Sequence, residues 1–292
     1  MFEVKKDIPV KKLLASPANL LRLLEIVGCY RETDEWLTVT LAYLGLRELH
    51  FPYTVRLRSG ERLTLEERID LVVFWMVFAR RHYPVQASDR VIIDVGANIG
   101  LFTIYAARQA PGARIIAVEP FPDTGRRLQK HLEDNRLADR VTVLNCALAE
   151  ETGRGEMDSA EGIPSQHRRI HSEDTATLNV RHRGVAALEK VPLVFVEKRT
   201  LADIVELAHA DNVDLMKMNM DGNECAVLMK TPAGVLQHFK RVAVQYHELP
   251  ATAKMGKAQL FSYLGKSGFR LVSDRDTHRG SGLAVLSADP AA

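Results

Sequence analysis

Cysteine is scarce in this chain: three in 292 residues, Cys29, Cys146 and Cys225, with no C-x-x-C pair among them. That spacing excludes a disulfide framework and a cysteine-rich zinc site, and a reducing cytoplasm is the expected compartment. An excess of charge of one sign is also lacking, since 39 Lys and Arg stand against 37 Asp and Glu for a formal +2. So balanced a surface does not make nucleic acid an expected partner. Long apolar runs are missing as well. LVVFWMVFA, residues 71–79, is the longest near the N-terminus, whereas a bilayer span takes about 20 residues. The opening MFEVKKDIPVKKLLA has lysines but no apolar stretch of signal-peptide length. No membrane span is expected, and no repeat with a period of 20 to 50 residues points to a solenoid or propeller.

What is present is an ordinary globular composition, 46% hydrophobic and 26% charged, in a chain long enough for one large or two modest domains. Texture divides it. Residues 11–49 carry Leu20, Leu21, Leu24, Val27, Trp36, Leu37, Leu41 and Leu44 at helical spacing. Tyr53–Leu57 and Arg62–Leu65 flank Ser59-Gly60 as a short hairpin, and a helix is expected from about Glu66 to Arg81. Residues 1–85 thus read as an N-terminal helical and hairpin extension, and 86–292 as a second domain. For the extension two roles stand open, covering an active site and mediating contacts in a homodimer.

From Val91 onward strands and helices alternate. Strands are expected at 91–95, 114–118, 141–145, 191–196, 213–219 and 241–247, helices at 101–109, 123–135, 200–208 and from about 223, and a closing hairpin at 269–273 with 282–286. This is the pattern of an α/β fold with a doubly wound, Rossmann-like seven-stranded sheet. Residues 150–190 interrupt it with little periodicity and read as a long irregular insert. In the insert His167, Arg168, Arg169, His171, His182 and Arg183 are interspersed with acids nearly one for one, so a solvated loop is favoured over a lid, and no metal site is expected there.

The densest signal is DVGANIG, Asp94 to Gly100, between a strand and a helix. Gly96 and Gly100 permit a tight turn and close approach of a ligand to the backbone, and the helix start offers free N–H groups. Glu119 ends the next strand, where a carboxylate can accept both hydroxyls of a ribose. Ala97 and Asn98 stand where a dinucleotide fingerprint has its second glycine. An acid at 94 repels a pyrophosphate but suits an ammonium group such as the methionine end of S-adenosylmethionine (SAM). SAM is therefore the expected cofactor, with Asp94, Gly96, Asn98, Gly100 and Glu119 at its site. Phe121 can lie against the adenine and Ala147 can meet the adenine edge; both positions also suit packing.

In order, YTVRLRSGERLTL, VIIDVGANIGLFTIYAA, AVEPFP, VEKRTLADIV, LMKMNMDGNECAVL and VAVQYHE resemble the FkbM-type SAM-dependent methyltransferases over roughly residues 53–250. The resemblance implies a Rossmann-like seven-stranded fold and methylation of a hydroxyl on a sugar, polysaccharide or natural product, hence a small-molecule or glycan acceptor. The chain departs from that family in having Asn219 where Asp is usual and Gln245 where Glu is frequent. Amides cannot act as bases and are poor ligands for a hard cation, so metal dependence is not expected. Two rivals remain open: a non-catalytic SAM-binding protein, suggested by those amides, and an NAD(P)-dependent oxidoreductase.

In a doubly wound sheet the reacting crevice lies at the C-terminal strand ends. Lys217, Asn219, Asp221 and Glu224 fall on one side of it, and Gln245, His247 and Glu248 on the other. His247 is the best single candidate for general base, since an imidazole titrates near neutrality, beside the alternative of a histidine merely bonded to a neighbouring loop. Asp221 can serve as base, acceptor-orienting group or N-cap, Lys217 can pair with a crevice carboxylate or form a purely structural ion pair, and Glu224 suits either a role in the transfer or the favourable charge of a helix start.

Overall fold

VIIDV folds as a strand because a short run of apolar and β-branched residues, too short for a helix, is stable only when both its faces are covered. In a computed structural model, which describes residues 17–158, 170–171, 193–220, 222–247, 256–278 and 281–289, this run is β3 (Val91–Val95) at the middle of a seven-stranded sheet. Beside it lie β4 (Arg114–Val118) and β5 (Val141–Leu144) on one side, and β10 (Leu215–Met218), β11 (Arg241–His247), β13 (Ser281–Ser287) and β12 (Arg270–His278) on the other. The pairings from β5 to β11 are parallel, and β13 runs antiparallel to both β11 and β12. The expected doubly wound α/β sheet is what the chain forms.

Register assigns the residues to faces. Lys217 pairs with Asp94 and with Ala243, and residues paired across neighbouring strands point the same way while successive residues alternate. One face therefore presents Asp94, Lys217, Gln245 and His247. The other carries Ile93, Val95, Met216, Met218, Val242, Val244 and Tyr246, packed with Ile204, Leu228, Leu260 and Leu264. Those last four lie on helices α6 (Leu201–Leu207), α7 (Glu224–Lys230) and α9 (Lys257–Lys266), which follow α4 (Leu101–Gln109) and α5 (Pro122–Asp134); the short α8 spans Ala233–Leu236. At the lower edge the Asp214 carboxylate accepts from the amides of Arg90 (2.7 Å) and Val91 (3.0 Å) and from Lys240 Nζ (2.7 Å), tying together the starts of three adjacent strands.

Two expectations require correction. The stretch 191–196 is not a rung of the main sheet: β9 (Leu193–Arg199) joins a separate four-stranded sheet with β6 (Ala147–Leu148), β7 (Gly153–Asp158) and β8 (Ile170–His171), in the order β6-β9-β7-β8. The start of the insert, read as irregular, is thus a strand, held by antiparallel pairing to β9 despite its polar sequence. The remaining cationic residues of the insert lie outside the described residues, and of His171 only the backbone is placed.

The chain divides into two compact units, Met1–Pro84 with Lys130–Arg136, and Val85–Gln129 with Leu137–Ala292. The first holds α1 (Pro17–Glu32), α2 (Trp36–Tyr43), the antiparallel hairpin of β1 (Tyr53–Arg56) and β2 (Arg62–Leu65), and α3 (Arg68–Phe74). The second correction falls here: the expected regular helix to Arg81 stops at Phe74 and continues as a π-helical turn over Trp75–Ala79. Trp75 stacks on Tyr43 with ring centres 4.2 Å apart and donates Nε1–H to Glu25 (2.7 Å). A wide turn of this kind fits where a bulky side chain must be re-aimed within a helix. Among the described residues no helix is long and apolar enough to cross a membrane.

Candidate functional site

Between β3 and α4 the backbone turns through the left-handed region three times, at Gly96 (φ 72°), Asn98 (φ 52°) and Gly100 (φ 85°). The amides of Gly96 and Ala97 both donate to the carbonyl of Val118 at 3.0 Å, folding the loop across the end of β4. At Gly96 a Cβ would stand 1.9 Å from the backbone oxygen of Asn219, and at Gly100 2.3 Å from Leu128 Cδ1. Gly96 is thus required twice over, by conformation and by space, whereas at Gly100 conformation is the firmer demand because the end of a leucine side chain can yield. Asn98 tolerates positive φ better than most residues, and its Oδ1 accepts from the amide of Ile99 (2.7 Å).

Glu119 reaches back to this loop. Its carboxylate accepts from the amide of Asn98 (2.8 Å) through Oε2 and from the amide of Phe121 (3.2 Å) through Oε1, and the residue is nearly buried. The acid at the end of β4 and the glycine turn after β3 therefore form one hydrogen-bonded unit. Phe121 and Ala147 are buried together with Met157 and Val196 in a small apolar cluster. Nothing in the sequence drew Met157 or Val196 to this place, because their strands belong to the second sheet.

Asp94 does not stand open to the crevice. Its Oδ1 accepts from Lys217 Nζ at 2.9 Å and its Oδ2 from Thr103 Oγ1 at 2.7 Å, with no exposed surface. Lys217 Nζ donates further to the carbonyls of Gly96 (2.8 Å) and Val95 (3.3 Å). Lys217 is thus paired with a buried carboxylate and not with one open to the crevice, and the pair clamps the turn from beneath. Thr103, one turn into α4, has no sequence signal tying it to Asp94.

Across the strand ends His247 Nδ1 lies 3.1 Å from Glu224 Oε1. Glu224 is fully buried at the first position of α7 and also accepts from the amides of Met220 (2.7 Å) and Gly222 (3.1 and 3.2 Å). The carboxylate is held by the loop that follows β10 and itself holds the imidazole. That contact is more specific than the favourable helix-start charge expected for Glu224. A carboxylate at Nδ1 fixes the orientation of the ring, the usual arrangement for an imidazole that exchanges protons through its other nitrogen.

Asn219 follows the last residue of β10, and its amide donates to the carbonyl of Val95 (3.1 Å). Its side-chain Oδ1 is sealed from solvent and has no hydrogen-bond partner among the described residues. Asp221 and Glu248 lie outside the described residues. Among the described residues no group of three or more His, Cys, Asp or Glu is placed to hold a metal ion.

Comparison with known proteins identifies the family. The model of the methyltransferase FkbM domain matches residues 94–271, more than half of the chain. The chain is 27% identical over 202 residues to methyltransferase sdnD of Sordaria araneosa, covering 64% of this chain and 76% of that protein. It is 22% identical over 210 residues to the 31-O-demethyl-FK506 methyltransferase FkbM of Streptomyces tacrolimicus, covering 67% and 78%. It also matches the AMB antimetabolite synthetase AmbE of Pseudomonas aeruginosa at 27% identity, over 90% of this chain but only 13% of that much longer protein. Among solved structures, a methyltransferase FkbM from Methylobacillus flagellatus aligns with 92% of this chain and 59% of its own, at 16% identity and TM-score 0.46. Neither a nicotinamide-dependent oxidoreductase nor a non-catalytic SAM binder is favoured by these likenesses.

Proposed function

Because the chain belongs to the FkbM methyltransferase family, we propose that it is a SAM-dependent O-methyltransferase acting on a hydroxyl of a sugar, polysaccharide or other natural product. The pair formed by His247 and Glu224 at the strand ends carries the reading. The hydroxyl acceptor draws support from the S. tacrolimicus relative, whose name describes an O-demethyl substrate. The fold also fits the cofactor: the glycine turn packs directly against Asn219, whose buried Oδ1 has no hydrogen-bond partner among the described residues.

Gly96, Asn98, Gly100, Glu119, Phe121 and Ala147 would hold SAM, with Asp94 fixing the turn from below. When bound, SAM supplies a methyl group on a sulfonium, which is electrophilic without further activation. The protein's own task is to align the acceptor and remove its proton. His247 takes that proton on Nε2, and Glu224, fixed by the amides of Met220 and Gly222, orients the ring and stabilises the imidazolium that results. Glu224 is in this scheme a positioning residue, and Asn219, just past β10, lies on the strand-end side.

The test has two parts. Calorimetry should detect binding of S-adenosylhomocysteine and no binding of NADH. With an acceptor found by screening sugars and natural-product hydroxyls, His247→Ala should lower kcat about 100-fold or more with S-adenosylhomocysteine affinity retained. Glu224→Gln should shift the alkaline-going limb of the pH–rate profile as well as lower kcat. Full turnover by His247→Ala at neutral pH removes His247 from the mechanism.

A further inference from the structure

An ammonium group needs an acceptor, and the acid that the sequence offers for it is already taken. Asp94 is wholly buried, and its two oxygens are used by Lys217 Nζ (2.9 Å) and Thr103 Oγ1 (2.7 Å). Lys217 also occupies the carbonyl of Gly96 at 2.8 Å. The charge of Asp94 is balanced inside the fold before any ligand arrives. Being wholly buried, Asp94 is out of reach of the amino-acid end of a cofactor seated on this turn.

Asn219 stands against that turn. Its backbone oxygen lies where a Cβ of Gly96 would be, so the two residues are in contact. Asn219 follows the last residue of β10, two positions beyond Lys217. Its Oδ1 is buried with no hydrogen-bond partner among the described residues. A buried acceptor without a donor is unfavourable and uncommon in a folded protein. The defect is cured by a donor that comes with a ligand.

Resting on the SAM reading above, we propose that the side-chain carbonyl of Asn219 accepts a hydrogen bond from the α-ammonium of the methionine portion of the cofactor. The amide suits this role for an electrostatic reason. Lys217 and Asp94 already form a neutral pair, and a second acid at 219 would add an uncompensated negative charge beside them whenever the site is empty. Asn219 offers an oxygen without that charge.

Calorimetry on the full chain tests this without any acceptor substrate. Two probes are compared, S-adenosylhomocysteine and its deamino analogue 5′-S-(3-carboxypropyl)-5′-thioadenosine, which differ only in the amine. The wild-type protein should prefer the amine-bearing ligand by about tenfold or more, the size of one hydrogen bond to a charged group. Asn219→Leu should shrink that preference by about tenfold, through loss of S-adenosylhomocysteine affinity with little change for the analogue. Asn219→Asp should widen it. An unchanged preference in Asn219→Leu, or equal weakening of both ligands, overturns the assignment while leaving the SAM reading intact. Should the leucine variant not fold, an unchanged preference in Asn219→Asp overturns it equally. If the wild-type protein binds neither probe, the SAM reading itself fails and the assignment with it.

Discussion

Replacing Lys217 by Met removes one half of a buried ion pair and leaves the other half in place. The two side chains are 6% and 0% exposed, and their closest atoms lie 2.9 Å apart. With Lys217 gone, Asp94 keeps only the hydroxyl of Thr103 (2.7 Å), and the carbonyl of Gly96 loses its donor. Stranding a buried charge in this way costs about 3–5 kcal/mol, a large share of the roughly 5–15 kcal/mol that holds a domain together. Asp94→Asn should also destabilise, by stranding the ammonium. The double variant Lys217→Met/Asp94→Asn should lie within about 2 kcal/mol of wild type, because a neutral buried pair has no charge to desolvate. Urea unfolding followed by circular dichroism at 222 nm measures all three. Fluorescence does not serve, since both tryptophans, Trp36 and Trp75, lie in the other compact unit. A single Lys217→Met variant within about 1 kcal/mol of wild type, or a double variant as unstable as the two singles added together, would refute the reasoning.

Two further outcomes are expected. Gly96→Ala should cost more than Gly100→Ala in both stability and S-adenosylhomocysteine affinity, because its Cβ would meet the backbone of Asn219 at 1.9 Å whereas that of Gly100 meets the flexible end of Leu128 at 2.3 Å; each also bears about 1–3 kcal/mol of strain at positive φ, and the reverse order in urea and calorimetric titrations counts against the turn geometry. Burial works against the ionised Asp214, but hydrogen bonds from Lys240 and the amides of Arg90 and Val91 outweigh it and hold its pKa below the ordinary carboxylate value. A depressed pKa gives stability that is present above the unfolded-state value and lost as pH falls through the native one, so Asp214→Asn should be less stable than wild type at pH 7 and the gap should narrow as pH falls below the ordinary carboxylate range; a gap that stays the same size throughout denies the linkage.

Much of this architecture is legible in the sequence, for reasons that particular segments show. VIIDV, LMKM and RVAVQYH have too many apolar residues in too few positions to be anything but strands covered on both faces. GANIG has glycine where the backbone must enter the left-handed region. What escaped notice depends on pairing. GRGEMD has the composition of a loop and becomes β7 only because β9 runs alongside it. Helical periodicity does not separate i+4 from i+5 bonding, so the π-helical turn at Trp75 is hidden in an apolar run that suits either. Helix α9 is not among the expected elements, although Leu260 and Leu264 stand one turn apart and are both fully buried.

The candidate site follows the same division. The residue types were visible at their strand ends, but the partnerships were not, because Lys217 meets Asp94 across 123 positions of sequence and His247 meets Glu224 across 23. Those partnerships alter the chemistry assigned to each acid. Read singly, Asp94 and Glu224 are charges available to a ligand; paired, both are committed, one to a lysine and the other to a histidine and two backbone amides. Lys217 joins the cofactor turn to β10, and Glu224 joins the loop after β10 to His247 on β11. The turn, Asn219 and His247 are therefore all tied to a single strand and the loop that follows it. In the proposed mechanism, alignment of cofactor and base then depends on that strand's register as well as on any one side chain.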